Sequence, residues 1–220
     1  MDVEVFDLGL IDYQKGWDFQ KEILDKVRYG SLKSALVLCR HYPVITLGRN
    51  AGKDSFRISD SELKEKGIKI YSVERGGGIT YHGPGQQIFY PIFNLYYFKN
   101  DLHLFLRYLE GMAISILARF GIFGQRISGL TGVWVNDKKI SSLGIAVKNW
   151  ITYHGLSINI KADDLSNFSL IRPCGMDIKM TSVETILSRE VSFQEVKNAL
   201  IRRPDMFVNY VNNVSNVNYV

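Results

Sequence analysis

Four segments of the 220-residue chain carry residues whose types and spacing could do chemistry. The first is Arg75 to Gln87, RGGGITYHGPGQQ. Gly76, Gly77 and Gly78 in succession, followed by Gly83-Pro84-Gly85, are costly for a chain to order, so backbone without side chains is required there. Close approach of a ligand to the main chain is the use that fits the whole string, although for the Pro-Gly pair alone a hairpin turn suffices. The run matches neither nucleotide template: it lacks the lysine of a phosphate-cradling loop and the glycine spacing of the dinucleotide fingerprint. The second feature is a repetition, because ITYHG occurs at Ile79 to Gly83 and again at Ile151 to Gly155. Each copy reads as a strand end that carries an imidazole, His82 or His154, toward a gap left by glycine. Two such ends can face one cavity from opposite sides, and the unmatched flanks argue against domain duplication. A hydrogen-bonded structural role is the plainer reading of both histidines, with direct catalysis as the other.

The third segment is IRPCGMD, in which Cys174 lies between a rigid proline and a permissive glycine, outside any periodic pattern. That is a suitable setting for a nucleophile. Cys39, within LVLCRH, has apolar neighbours and reads as an inert core thiol. Nucleophilic use of Cys174 needs thiolate, and an ordinary thiol of pKa ~8.5 is only slightly ionised at neutral pH, so a nearby cation is required. The fourth segment supplies candidates: Lys138 and Lys139 open KKISSLGIAV, where Ser142 and Gly144 leave room for a substrate. On a regular strand the two lysines point to opposite faces, and spacing alone does not choose between them.

These residues need elements to hold them. Near-helical spacing of Trp17, Ile23, Leu24 and Val27 predicts a helix over Tyr13 to Arg28, stopped by Gly30. Ala35 to Cys39 and Val44 to Leu47 read as buried strands separated by Pro43. A short polar helix is expected over Ser61 to Lys66, then a strand over Ile68 to Val73. The longest helix should start at the Asn100-Asp101 cap and run to Arg119. Asn136-Asp137 suits a hairpin turn between VWV and KKISSLGIAV. A final helix opens with the capping-box pattern Ser192 to Glu195 and ends before Pro204. Residues 204–220, rich in asparagine, read as a peripheral tail of a single domain spanning 1–220. Irregular alternation of strands and helices predicts an α/β fold of the mixed α+β kind, without plain Rossmann order.

Composition sets the outer limits. With 46% hydrophobic and 12% aromatic residues the chain can offset its ordering entropy, which excludes a disordered protein. No apolar run approaches the ~18 residues of a membrane span, and the acidic start MDVEVFDLGLIDY is not a secretory signal, so a cytoplasmic protein is expected. The two cysteines make neither a disulfide framework nor a zinc knuckle. The net charge of +5 is too thinly spread for a nucleic-acid groove. Its excess lies in Lys138 to Arg203, with 10 basic and 6 acidic residues, and would suit an acidic protein partner.

Taken together, RGGGITYHGPGQ, TGVWVNDKKISSLGI, TYHGLSINI and PCGM followed by TSVE resemble the bacterial lipoyl(octanoyl) transferase family. The likeness runs in order from HYPVITLGRNAG to TSVE, about two thirds of the chain. The resemblance implies the biotin/lipoate protein ligase fold, which is class II synthetase-like, with a mixed β-sheet flanked by helices. It implies transfer of octanoyl from octanoyl-acyl carrier protein to a lysine of a lipoyl domain. By motif, Cys174 would be the acyl-thioester nucleophile and Lys139, rather than Lys138, the catalytic lysine. The matching substrate-binding stretches are Arg75, Gly76, Gly77, Gly78, Ile79, Thr80, Tyr81 and His82, then Ser142, Leu143 and Gly144, then Gly155, Leu156 and Ser157, with His154 in support. No ATP and no metal are implied, since the donor brings its own thioester on phosphopantetheine. The acceptors would be lipoyl domains of 2-oxo acid dehydrogenase E2 subunits and the glycine cleavage H protein. Neither nucleic acid nor membrane is expected as a partner. An ATP-dependent lipoate ligase on the same fold, a non-catalytic binding module and a cysteine thioesterase are the competing readings.

Overall fold

The apolar run at Ala35 is buried on both faces, which requires a sheet covered on both sides. The computed structural model of the chain describes residues 3–52, 55–173, 177–201 and 210–216. In chain order its elements begin with β1 (Val3–Ile11), α1 (Tyr13–Arg28), β2 (Ala35–His41), β3 (Val44–Leu47), α2 (Asp60–Glu65), β4 (Lys69–Ser72), β5 (Ile79–His82) and β6 (Gln86–Ile92). They continue with α3 (Leu102–Ala118), β7 (Gln125–Ile127), β8 (Leu130–Val135), β9 (Lys138–Lys148), β10 (Ile151–Asn159), α4 (Val183–Leu187), α5 (Phe193–Ile201) and β11 (Tyr210–Asn216). Among the described residues eight strands form one mixed sheet in the order β11-β1-β2-β6-β10-β9-β8-β7, and β4-β3-β5 form a second, smaller sheet. The fold is thus a mixed α/β single domain, as the strand and helix pattern predicts.

Side-chain alternation divides the large sheet into two packed faces. Val37, Cys39, Ile88 and Tyr90 meet Phe19, Ile23, Leu24 and Val27 of α1. Leu36, Leu38, Phe89, Leu156 and Ile158 meet Phe105, Leu109, Met112 and Ile116 of α3, together with Val196 and Leu200 of α5. The helices start where their caps dictate. Asp12 accepts the Gln14 N–H at 2.9 Å, and Asp101 accepts those of His103 and Leu104 at 2.8 and 3.0 Å. Ser192 and Glu195 form the reciprocal capping box expected at α5. Pro43 separates β2 and β3 into different sheets, so the two adjacent apolar runs do not pair with each other. The stretch expected as a peripheral tail contributes β11, which adds parallel to β1 at the sheet's edge, Val3 opposite Tyr210 and Asp7 opposite Asn216. An unpaired edge offers a row of backbone donors and acceptors to any extended segment, whatever its side-chain pattern.

Two buried polar contacts tie α1 and β1 to the sheet centre. Gln20, fully buried on α1, accepts the backbone N–H of His154 on β10 at 2.8 Å. His41, fully buried at the end of β2, donates from Nδ1 to the Ile11 carbonyl at 3.0 Å and accepts the Tyr90 hydroxyl at Nε2, 2.9 Å away. Burial holds its pKa down at about 4, so the ring is neutral at pH 7. In the Gln20→Leu variant the His154 N–H loses its acceptor, which is expected to cost about 1–3 kcal/mol, read as a lower urea midpoint at unchanged m-value. His41 takes up its proton near pH 6.5 when unfolded and only near pH 4 when folded. Its contribution to stability is therefore intact above pH 6.5 and falls by up to about 1.4 kcal/mol per pH unit on acidification toward pH 4. A urea series over that range should show a shallower slope for His41→Asn than for the wild type.

Candidate active site

The hairpin of β9 and β10 lies at the centre of the site. It places Gly144 opposite Gly155 and Leu143 opposite Leu156; the absence of a side chain on Gly144 lets the loop 75–78 descend onto the sheet, while that on Gly155 makes room for the Phe89 carbonyl of β6. The Gly76 N–H bonds to the Ile145 carbonyl at 2.9 Å. A Cβ on Gly144 would stand 2.9 Å from the Gly76 carbonyl oxygen and 3.1 Å from the Arg75 Cδ, closer than side chains normally pack against backbone. The other side of the loop is held by residues 48–50, whose N–H groups bond to the carbonyls of Gly78, Arg75 and Gly77 at 3.0 Å each. Arg75 itself is buried. Its guanidinium donates to the Thr46 hydroxyl and carbonyl at 2.8 Å, and to the Gly76 carbonyl at 3.1 Å. The buried cation thereby ties the loop to the small sheet, and the Gly76 N–H ties the loop to the large one.

Between them lies a cavity of about 350 Å³, within the size range of small-ligand sites. Arg75, Gly76, Gly77, Gly78, Ile79, Thr80 and His82 form one wall, and Ser142, Leu143, Gly144, His154, Gly155, Leu156 and Ser157 the opposite one. The two ITYHG copies thus do bring His82 and His154 to one space. Tyr81 is the exception among the expected substrate-binding residues described. It lies in the apolar cluster with Phe168 and Leu170, its hydroxyl donating to Asp164 and accepting from Asn167. Successive strand residues point to opposite faces, so Thr80 and His82 cannot share a face with Tyr81.

Lys139 enters the cavity from the start of β9, buried to 8% exposure, while Lys138 beside it is exposed. Its Nζ lies 5.0 Å from the centroid of the Trp134 ring. Its backbone bonds away from the sheet: the Lys139 N–H meets the Lys179 carbonyl at 2.8 Å, and the Lys139 carbonyl accepts from Thr181 at 2.9 Å. Cys174 falls outside the described residues, but the residues near it on either side, Pro173 and Ile178, both line the cavity. Arg172 is anchored by its N–H to the Ser55 carbonyl at 2.7 Å, and Asp177 pairs with Arg57. The other cysteine, Cys39, is buried in the α1-facing core, where burial pushes its thiol well above the ordinary value.

The cavity's imidazoles are neutral at pH 7. Burial brings His82 and His154 down to about 3, and the Arg75 charge adds to the effect on both. The His82 Nδ1 meets the Gln86 side-chain oxygen at 2.9 Å, and the His154 Nε2 lies 3.6 Å from the Glu74 carboxylate. Positive charge in this space therefore does not come from histidine, and Arg75 carries it permanently. Among the described residues no group of three or more His, Cys, Asp or Glu side chains is placed to hold a metal ion.

Several lining residues escaped the sequence reading, among them Tyr13, Ile88, Tyr90 and Trp134. Trp134 was accessible in principle: a two-residue turn at Asn136-Asp137 sets Val135 opposite Lys138 and hence Trp134 opposite Lys139. Ile88 and Tyr90 follow the period-two alternation of β6, yet nothing in that pattern separates a cavity wall from the core.

The model of the lipoyl protein ligase A/B catalytic domain matches residues 12–203. An octanoyltransferase of Cytophaga hutchinsonii is 40% identical over 91% of this chain and 90% of its own length. One from Caldanaerobacter subterraneus is 43% identical over 90% of this chain and 86% of its own. At the level of fold, a bipartite lipoate protein ligase from Thermoplasma acidophilum, studied with its E2 lipoyl domain, superposes with a TM-score of 0.73 at 18% identity, covering 99% of this chain and 88% of that one. With the family model spanning residues 12–203 and relatives at 40% identity and above matching nearly end to end, this chain belongs to the lipoyl protein ligase A/B catalytic domain family.

Proposed function

We propose that this chain is an octanoyltransferase that carries octanoyl from acyl carrier protein to a lysine of a lipoyl domain, through a thioester on Cys174. The observation that carries the reading is the burial of Lys139 in a largely apolar cavity whose wall includes both Pro173 and Ile178, on either side of Cys174. The names of the relatives at 40–43% identity supply the acyl group.

The chemistry follows from that arrangement. The Lys139 ammonium favours the Cys174 thiolate, with Arg75 as a second buried cation in the wall. The thiolate attacks the octanoyl thioester carbonyl, and the tetrahedral adduct collapses with expulsion of the pantetheine sulfur, which takes the Lys139 proton. In the second half-reaction the ε-amine of the lipoyl-domain lysine attacks the acyl-enzyme carbonyl. An amide forms, the Cys174 sulfur leaves as thiolate, and the proton of the attacking amine returns to Lys139. One thioester is exchanged for another of similar energy before the amide is made, so neither ATP nor a metal ion is needed. The apolar wall of Ile79, Ile88, Leu143 and Leu156 suits an eight-carbon chain. A cytoplasmic setting, the E2 lipoyl domains and glycine cleavage H protein as acceptors, and the acidic acyl carrier protein as donor complete the reading.

Octanoyl-acyl carrier protein and an apo lipoyl domain, mixed with the enzyme in the absence of nucleotide, are expected to give an octanoylated lipoyl domain. Lys139→Ala should lower kcat by about 10²–10⁴-fold, and Cys174→Ser should abolish transfer. A requirement for ATP with free octanoate would make the protein a ligase instead. Release of octanoate faster than its transfer, with acceptor present, would make it a thioesterase.

A further inference from the structure

We infer that Glu110 of α3 is a positioning residue for Lys139, acting through the backbone of Gly132; the inference rests on the role of Lys139 proposed above. Glu110 is buried, and its carboxylate is held by three donors. Oε2 accepts from Arg107 at 2.7 Å and from Arg126 at 3.0 Å, while Oε1 accepts the Gly132 backbone N–H at 3.1 Å. Hydrogen bonds to an ionised, buried acceptor are the stronger kind, so the Gly132 peptide is fixed by the helix as well as by its neighbours in the sheet.

Gly132 is the surface on which the lysine lies. Its φ is +136°, a backbone conformation that glycine adopts readily and L-residues avoid. A Cβ at this position would stand 2.5 Å from the Lys139 Cε and 3.2 Å from its Nζ. The lysine's end is therefore packed directly on the Gly132 main chain, with the Trp134 ring also close by. The ladder between β8 and β9 breaks its register at this point, between Val133 opposite Ser141 and Trp134 opposite Lys139. The extra residue is Ile140 on β9; an irregularity of this kind re-aims a side chain, and where Lys139 then rests depends on the facing strand β8. The Glu110 carboxylate holds β8 at Gly132, beside the break. Glu110 does not line the cavity and touches no reacting atom, so its effect on the reaction is indirect.

The pH profile of Cys174 alkylation by iodoacetamide, measured on protein shown to be folded by circular dichroism, tests this. With Cys174 as the reactive thiol, Lys139→Ala should raise the inflection by about one unit or more. Glu110→Ala should raise it in the same direction by a substantial part of that shift, with kcat lowered and KM for the acyl carrier protein unchanged. Glu110→Gln keeps an oxygen for the Gly132 N–H and should restore most of the wild-type profile. A core variant of the same helix, Ile116→Val, should lower the melting temperature and leave the profile in place. If Glu110→Ala fails to fold, Glu110→Asp takes its place: it keeps the charge but draws the carboxylate back from the Gly132 N–H by one methylene, and should raise the inflection. A Glu110→Ala profile coincident with the wild type, alongside a shifted Lys139→Ala profile, would overturn the positioning role, as would an unshifted Glu110→Asp profile where it is the substitute. An unshifted Lys139→Ala profile would reject the proposed role of the lysine and this inference with it.

Discussion

Two backbone hydrogen bonds govern the layout of this site: Lys139 N–H to the Lys179 carbonyl, and Thr181 N–H to the Lys139 carbonyl. They fasten the segment that follows the PCG motif to the strand that carries the lysine, as a parallel bridge centred on Met180. Each is worth only about 1 kcal/mol net, but together they set a register, and register determines which side chains face one another. Because β9 slips against β8 at the same point, Lys139 can bond outward to this segment while its side chain turns inward over Gly132. On the other side the Ser55 carbonyl holds Arg172. Chain on both sides of Cys174 is thus anchored to neighbouring elements.

The cavity's electrostatics follow from burial. Imidazoles at His41, His82 and His154 are enclosed and held neutral at pH 7, His82 and His154 also by the Arg75 charge. The His41 and His82 rings have hydrogen-bond partners, whereas the buried His154 Nε2 has none among the described residues, so the expectation that both ITYHG histidines are hydrogen-bonded is met only at His82. Arg75 has a double role in the geometry. It ties the glycine loop to the small sheet through Thr46, and it places a permanent positive charge behind that loop. Side-chain-free backbone at Gly144 is what allows that loop to sit close enough for both.

Much of this was legible in the sequence where local chemistry dictates local structure. Asp12, Asp101 and Ser192 are caps by residue type, and the helices begin beside them. The α1 boundaries, Tyr13–Arg28, and those of β3, Val44–Leu47, coincide with the expected ones. The Asn136-Asp137 turn falls between β8 and β9 even without glycine, because asparagine tolerates the left-handed conformation that Asn136 adopts at φ +55°. What the sequence did not disclose depends on partners remote along the chain. β1 had no expected boundary because its run VEVFDLGLI mixes charge with apolar residues, and it becomes a strand by pairing with β2. β11 carries asparagines and is recruited by an open edge. Tyr81 was assigned with the motif around it, although strand alternation alone would have separated it from Thr80 and His82. Glu110 drew no notice, since a lone glutamate on a helix has no signature until its burial and its three donors are seen together.

The central claim is that an octanoyl group rests covalently on Cys174 between donor and acceptor, and intact-protein mass spectrometry tests it most directly. The enzyme is incubated with octanoyl-acyl carrier protein alone, without nucleotide or lipoyl domain, and then digested to locate any adduct. The account requires a stoichiometric gain of one octanoyl group on the peptide containing Cys174, sensitive to hydroxylamine and discharged when apo lipoyl domain is added. An unmodified enzyme that nevertheless octanoylates the lipoyl domain, or an adduct confined to another residue, would contradict it.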